Sequence, residues 1–102
     1  MPVIAVYITC KDEKEAKAIA LHLLNEKLIA CANASEHKAF YTWKGRLVQE
    51  REWHILAKSR RELFPRIASA VKKLHSAELP CIVCWDIDGD KEYLTWIQSE
   101  TT

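Results

Sequence analysis

The fold of this chain is decided by residues 40–58, which read FYTWKGRLVQEREWHILAK. Two runs rich in β-branched and aromatic side chains flank the pair Lys44-Gly45, and glycine readily adopts the positive φ that a tight hairpin turn requires. The pattern therefore predicts a long β-hairpin. Because its arms are too long for the small body of a 102-residue chain, we expect the projecting part to contact another subunit.

The composition indicates the class of protein. The chain has room for one compact domain, 1–102, and 49% of its residues are hydrophobic, including four tryptophans. An oligomer interface offers extra places to bury such large side chains. The net charge is +1 and no basic excess gathers on one segment, so we expect no nucleic-acid partner.

The N-terminal residues 1–8, MPVIAVYI, form an apolar run without a preceding basic region. The run is far shorter than a membrane span and lacks the flanks of a signal peptide, so we interpret it as a buried strand. Four cysteines without disulfide spacing fit reduced thiols. We therefore expect a soluble, cytoplasmic protein that does not associate with membranes.

Hydrophobic periodicity predicts the other elements. The first helix begins after Asp12, where Glu15 completes a capping signature three residues later. A polar break at 35–38 divides the second strand into two pieces. The predicted strands cover residues 3–9, 31–34, 39–43, 47–58 and 81–87.

The start of the second helix is decided by Pro65. Ser59 and Glu62 resemble a capping box, but a helix beginning there would place the proline beyond the first turn, where its ring and missing N–H are costly. A start at Arg61 or later keeps Pro65 among the first four residues, which need no intrahelical donor. We predict the later start.

The element order is β-α-β-β-α-β-α. It predicts an α+β, ferredoxin-like split βαβ fold, in which a βαββαβ core is followed by a short C-terminal helix. The sheet is antiparallel, contains the long β2-β3 hairpin and carries both central helices on one face. The other face would be bare in a monomer, so something must cover it.

Five segments form a pattern that runs essentially end to end through the chain: EKLIACAN (26–33), YTWKG (41–45), 52–58, 75–80 and YLTW (93–96). In this order and at these intervals they resemble the CutA family of divalent-cation tolerance proteins. The resemblance implies the fold just described, tight homotrimers with hairpin arms reaching between subunits, and the binding of copper and other divalent metals. It also implies a build similar to that of the trimeric PII signalling proteins.

Two segments depart from the family pattern. Glu36-His37 stands where the family usually has Pro-Gly, and HSAELPC at 75–81 replaces the typical His-Pro-Tyr-Glu-x-Pro-Glu. The second change removes an aromatic side chain and the final carboxylate. It therefore alters a shared ligand pocket, but neither the fold nor the trimer depends on it.

Cys31 and His75 are the candidate metal ligands. Cys31 matches the family's cysteine, and thiolate is a good ligand for soft metals; the alternative is a small buried hydrophobe on a strand. His75 matches a family histidine at the end of the second helix. The alternative is a histidine without a ligand role, because the helix dipole favours a cation at this end. The family resemblance implies copper as the metal. Copper also binds most tightly in the series of divalent first-row metals. Cys81 and Cys84 lie three apart on a strand and point to opposite faces, so they do not form a site.

Glu52 and Lys58 are the candidate residues for binding a small molecule. Both lie on the same face of the third strand, where they can line a polar cleft between subunits. The alternative is a surface ion pair of small energetic value.

Three functions are consistent with these features. The leading one is a trimeric divalent-metal binding protein involved in metal tolerance. The alternative is a PII-like signalling module that binds a small anionic metabolite in clefts between subunits. The third, an enzyme with Cys31 as nucleophile, lacks an identifiable base. Since no Ser-His-Asp order or glycine-rich phosphate loop is present, we expect no enzyme.

Overall fold

The computed structural model describes residues 2–102. Its elements follow the predicted order, with a single 3-10 turn at Arg61–Leu63 before the second helix. The strands are β1 (Val3–Cys10), β2 (Cys31–Trp43), β3 (Arg46–Arg60) and β4 (Ile82–Ile87), and the helices are α1 (Glu13–Asn25), α2 (Phe64–Leu74) and α3 (Lys91–Ser99).

The four strands form one sheet in the order β2-β3-β1-β4, and every neighbouring pair is antiparallel. In the register, Ile8 of β1 lies opposite Ile55 of β3 on one side and Ile82 of β4 on the other. The two crossovers through α1 and α2 place β1 between β3 and β4. The predicted antiparallel α+β fold is confirmed.

The main core lies between one face of the sheet and the helices α1 and α2. Alternate side chains of β1 point into it, because successive residues of a strand face opposite sides. Full burial of each aliphatic side chain contributes about 1.5–3 kcal/mol relative to exposure. Side chains exposed by no more than 2% in this core include Ile4, Val6, Ile8, Ile19, Leu23, Ile55, Ile67 and Val71.

The helix starts follow their sequence signals. The Asp12 carboxylate accepts from the Glu15 N–H at 2.9 Å, and Glu15 Oε1 accepts from the Lys11 N–H at 3.0 Å. These bonds satisfy two N–H groups at the start of α1 that have no intrahelical partner. Pro65 lies in the first turn of α2, which confirms the later start.

The predicted break in the second strand is wrong. β2 runs without interruption from Cys31 to Trp43, and residues 35–38 pair with residues 51–54 of β3. The polar side chains remain in the ladder because the opposite strand offers polar partners, such as Glu52 opposite His37. The third strand also extends to Arg60, beyond the predicted residue 58.

The hairpin projects beyond the sheet. Lys44 and Gly45 have φ of 51° and 78°, as a two-residue turn with two left-handed residues requires. β3 pairs with β1 only from Trp53 onward, so residues 37–52 form a two-stranded arm. This hairpin arm accounts for the elongated shape of the subunit, 44 × 24 × 21 Å.

The second face of the sheet is covered at one end only. Ile97 of α3 packs there against Val3 and Ala30. Further along the same face, Val83 and Trp85 of β4 are 48% and 46% exposed. The prediction of a bare face therefore holds for the part that α3 does not reach.

Candidate functional site

Cys31 lies at the start of β2, on the sheet face that α3 partly covers. It is half-buried and lies opposite Lys58 in the β2–β3 register. Its Sγ atom is 3.5 Å from the hydroxyl of Tyr93 on α3, and this hydrogen bond raises the pKa of the tyrosine. The thiol is thus held by one neighbour, and part of its surface stays accessible.

His75 ends α2, and its side chain is only 4% exposed. The Ala77 N–H donates to Nδ1 at 3.0 Å, so Nδ1 carries the lone pair and Nε2 carries the proton. Nε2 then donates to the carbonyl oxygen of Thr9 at 2.6 Å. Both ring nitrogens are occupied within the subunit.

His75 belongs to a buried cluster with Cys10 and Glu15, whose ligand atoms lie within 4.8 Å of one another. Burial raises the pKa of the Cys10 thiol to about 12, with Glu15 adding to the effect. Burial also raises the pKa of Glu15, but hydrogen bonds from the Lys11 and Ser76 N–H groups outweigh it and lower that pKa. A neutral thiol, a carboxylate with a hydrogen bond on each oxygen and an imidazole with both nitrogens occupied make this a structural cluster.

A single subunit does not bring Cys31 and His75 together. Cys31 shares its row of the sheet with Lys58 and Ala5, whereas His75 binds Thr9, four residues further along β1. At about 3.3 Å per residue, these rows are about 13 Å apart. A metal site that uses either side chain therefore draws its other ligands from elsewhere, and the pair stays a prediction.

A cleft of about 690 Å³ lies between the hairpin arm and the loop at 75–81. Glu52 lines it and Lys58 does not. The predicted cleft between subunits, which was assigned to both residues, stays a prediction. Tyr7 and Cys81 also face the cleft. Three carboxylates (Glu50, Glu52 and Glu78) and two ammonium groups (Lys11 and Lys38) contribute to its lining.

A chain of polar side chains crosses from β2 to β3 at the base of the hairpin arm. Ser35 Oγ lies 3.2 Å from Nε2 of His54, and Nδ1 of His54 lies 2.7 Å from Nδ1 of His37. Nε2 of His37 lies 2.9 Å from Oε1 of Glu52. The two rings, which we call the histidine pair, are 4.8 Å apart between centroids.

The proton positions in the histidine pair follow from Glu52. An ionised carboxylate only accepts, so Nε2 of His37 carries a proton and, in the neutral ring, Nδ1 carries a lone pair. His54 then donates from Nδ1 into the 2.7 Å contact, and its Nε2 accepts from the Ser35 hydroxyl. Burial is the main cause that lowers the pKa of His54.

Neither His37 nor His54 was among the site residues predicted from the sequence. The signal was present, because a two-residue turn at 44–45 pairs residues that are equally distant from it. That rule places His37 opposite Glu52 and Ser35 opposite His54, as the structure shows. The predicted break at 35–38 concealed this register.

Comparison with known proteins identifies the family. The sequence model of the CutA1 divalent ion tolerance protein matches residues 4–100. The chain belongs to the CutA1 family. The divalent-cation tolerance protein CutA of Pyrococcus horikoshii is 38% identical over 99 residues, which cover 96% of this chain and 97% of that protein. The corresponding protein of Archaeoglobus fulgidus is 40% identical over 93 residues, 90% of this chain and 91% of that one.

Solved CutA1 structures have the same fold. The structure described as the periplasmic divalent cation tolerance protein CutA of A. fulgidus superposes with a TM-score of 0.94 at 37% identity, covering 96% of this chain and 97% of that one. CutA1 of Oryza sativa gives 0.95 at 29% identity, covering 100% and 95%. These matches confirm the family resemblance and the fold. Within residues 2–102, the helices are all too short or too polar to cross a bilayer.

Proposed function

We propose that this CutA1-family chain is a homotrimeric, cytoplasmic protein that binds divalent metal ions, copper first, and takes part in metal tolerance. The observation that carries the proposal is the family match over residues 4–100, to proteins named for divalent-cation tolerance. The chain acts by binding rather than by catalysis. Neither nucleic acid nor membrane is among its partners.

Exposed apolar surface supports the trimer. On the hairpin arm, Phe40 is 68% exposed and Leu47 is 72% exposed. The uncovered part of the sheet adds Val83 and Trp85, and α3 adds Trp96. Surfaces of this kind on a small subunit mark interfaces, and obligate interfaces are large and apolar. Copies of the same chain are the occupants that we propose.

Cys31 and His75 are not equally suited to bind copper. The half-buried thiol of Cys31 is a soft ligand with one hydrogen-bonded neighbour, and it suits Cu(I) or Cu(II). His75 becomes a ligand only if Nδ1 releases the Ala77 N–H or Nε2 releases Thr9. Cys31 is therefore the better of the two ligands in the proposal.

The PII-like alternative is not favoured. The cleft within one subunit does not suit an anionic metabolite, because three carboxylates face it beside two ammonium groups. Carboxylates in a partly desolvated cleft repel an anionic ligand and weaken its binding. A cation is the better occupant on electrostatic grounds.

Two measurements on the intact protein test the proposal. Light scattering coupled to size exclusion is expected to give three times the 11.8 kDa chain mass. Calorimetric titration with Cu(II), Zn(II) and Mg(II) is expected to show saturable binding with integral stoichiometry for copper and the weakest binding for magnesium. A stable monomer contradicts the assembly, and gradual uptake without saturation contradicts the metal function.

A further inference from the structure

The proposed function gives the histidine pair no role. Two imidazoles on adjacent strands point their Nδ1 atoms at each other across 2.7 Å. We propose that His37 and His54 form a divalent copper site that opens into the cleft beside the hairpin arm. The inference rests on the proposed metal-binding function, but it assigns the metal to His37 and His54 instead of Cys31 and His75.

Both rings are already held as metal-binding histidines are. A histidine ligand almost always donates its second N–H to a carboxylate, carbonyl or other acceptor, which orients the ring and raises its basicity. His37 donates from Nε2 to Glu52 at 2.9 Å. The ring of His54 stacks on Tyr7 with centroids 5.4 Å apart, and its Nε2 contacts Ser35. The supporting contacts therefore exist before any ion arrives.

The proton between the two rings can be displaced when a metal ion binds. Two lone pairs cannot face each other at 2.7 Å, so without an ion one proton occupies the contact. When Cu(II) takes its place, the proton on Nδ1 of His54 is lost and Nε2 gains one. The Ser35 hydroxyl, which both donates and accepts, then turns to accept from Nε2. The neutral pair thus presents two lone pairs with no net proton release.

The separation of the nitrogens favours copper over zinc. Metal–nitrogen bonds of about 2.0–2.1 Å place two ligands about 2.9 Å apart at a right angle and about 3.3 Å apart at a tetrahedral angle. The observed 2.7 Å is closer to the right-angled arrangement, which is the tetragonal geometry of Cu(II) with nitrogen and oxygen ligands. Water from the cleft completes the coordination.

Glu52 supplies the charge that a dication needs. Its side chain is 16% exposed, and that of His37 is 22% exposed, so the site is shielded but open to the cleft. A carboxylate within hydrogen-bonding distance of one ligand compensates part of the positive charge of the ion. We therefore assign Glu52 as the residue that orients His37 and raises the affinity of the site.

The test is Cu(II) binding to the intact protein, followed by titration calorimetry and electron paramagnetic resonance. The variants are His37→Ala, His54→Ala and Glu52→Gln, with His22→Ala on the exposed face of α1 as the matched control. We expect each histidine substitution to remove one copper per subunit. Glu52→Gln is expected to keep the stoichiometry and weaken the affinity about tenfold, as loss of such an orienting partner does. His22→Ala is expected to leave both unchanged.

Wild-type protein provides a readout that does not depend on the folding of variants. The spectrum of bound Cu(II) is expected to show coupling to two equivalent nitrogens, which changes when histidine carries ¹⁵N. Coupling to a single nitrogen, or a thiolate-to-copper absorption band that Cys31→Ser abolishes, overturns the histidine pair while leaving metal binding intact. Wild-type protein that shows no saturable copper binding overturns both this site and the proposed function.

Discussion

The Nε2 atom of His75 lies 2.6 Å from the carbonyl oxygen of Thr9, so the end of α2 is bound to the end of β1. The same ring accepts from the Ala77 N–H and thereby shapes the start of the loop that borders the cleft. With its side chain almost fully buried, His75 stabilises the structure whether or not it binds a metal.

His75→Ala is therefore expected to destabilise the fold by about 1–3 kcal/mol, because the part-buried carbonyl of Thr9 and the N–H of Ala77 lose their partner. Urea unfolding followed by circular dichroism measures the change. His22→Ala, at an exposed position, is expected to stay within about 0.5 kcal/mol of wild type. Equal stability of the two variants would show that the hydrogen bonds of His75 are not needed.

Charged substitutions on the hairpin arm are expected to break the proposed trimer. Leu47→Glu places a carboxylate on a side chain that is 72% exposed in the subunit and buried in the assembly that we propose. Leu21→Glu is the matched control, since Leu21 is 54% exposed on α1, away from the arm. Light scattering is expected to show smaller species for the first variant and trimers for the second. Trimers of both would place the interface elsewhere.

Gly45→Val tests the turn of the hairpin. A Cβ at Gly45 meets no atom within 4 Å, so the whole cost comes from the backbone at φ +78°. We expect a loss of about 1–3 kcal/mol, which is typical of strained backbone positions. Gly89→Val, where space is also open and φ lies outside the left-handed region, is expected to cost less. Thermal melts of the two variants that shift equally would contradict the assignment of the turn.

Glu15 is expected to contribute to acid unfolding. Although burial raises its pKa, the N–H groups of Lys11 and Ser76 lower it below the ordinary 4.5 overall, so the unfolded state binds the proton more readily. The stabilisation is therefore complete above about pH 4.5 and is lost as the pH falls through the lower folded-state pKa. Glu15→Gln is expected to flatten the decline of the urea midpoint between about pH 5 and 3. Glu13→Gln, at an exposed position in the same turn, serves as the control, and an unchanged slope in Glu15→Gln would contradict the prediction.

Local patterns predicted much of this fold correctly. The Lys44-Gly45 turn lies where two left-handed residues occur, and Pro65 marks the first turn of α2. Both follow from the backbone preferences of single residues. The uninterrupted course of β2 was missed, because residues 35–38 look like a loop when considered alone. Their strand conformation depends on partners at 51–54 that lie far along the chain.

For the candidate sites, the sequence identified the residues but not their hydrogen-bond partners. Cys31, His75 and Glu52 were recognisable from the sequence as polar or reactive groups in a matching pattern. Their surroundings were not, since the free nitrogens of an imidazole depend on neighbours such as Thr9 and Ala77. Composition cannot specify which hydrogen-bonding positions are already taken.

By itself, the sequence determined the order of the elements and the hairpin turn, because periodicity and turn chemistry are local, and its motifs indicated the family. Only the tertiary structure decided that hydrogen bonds enclose His75 and that the Nδ1 atoms of His37 and His54 meet. The reason is physical. The two-residue turn sets the register of the hairpin, but which ring nitrogens meet depends on side-chain contacts across the strands.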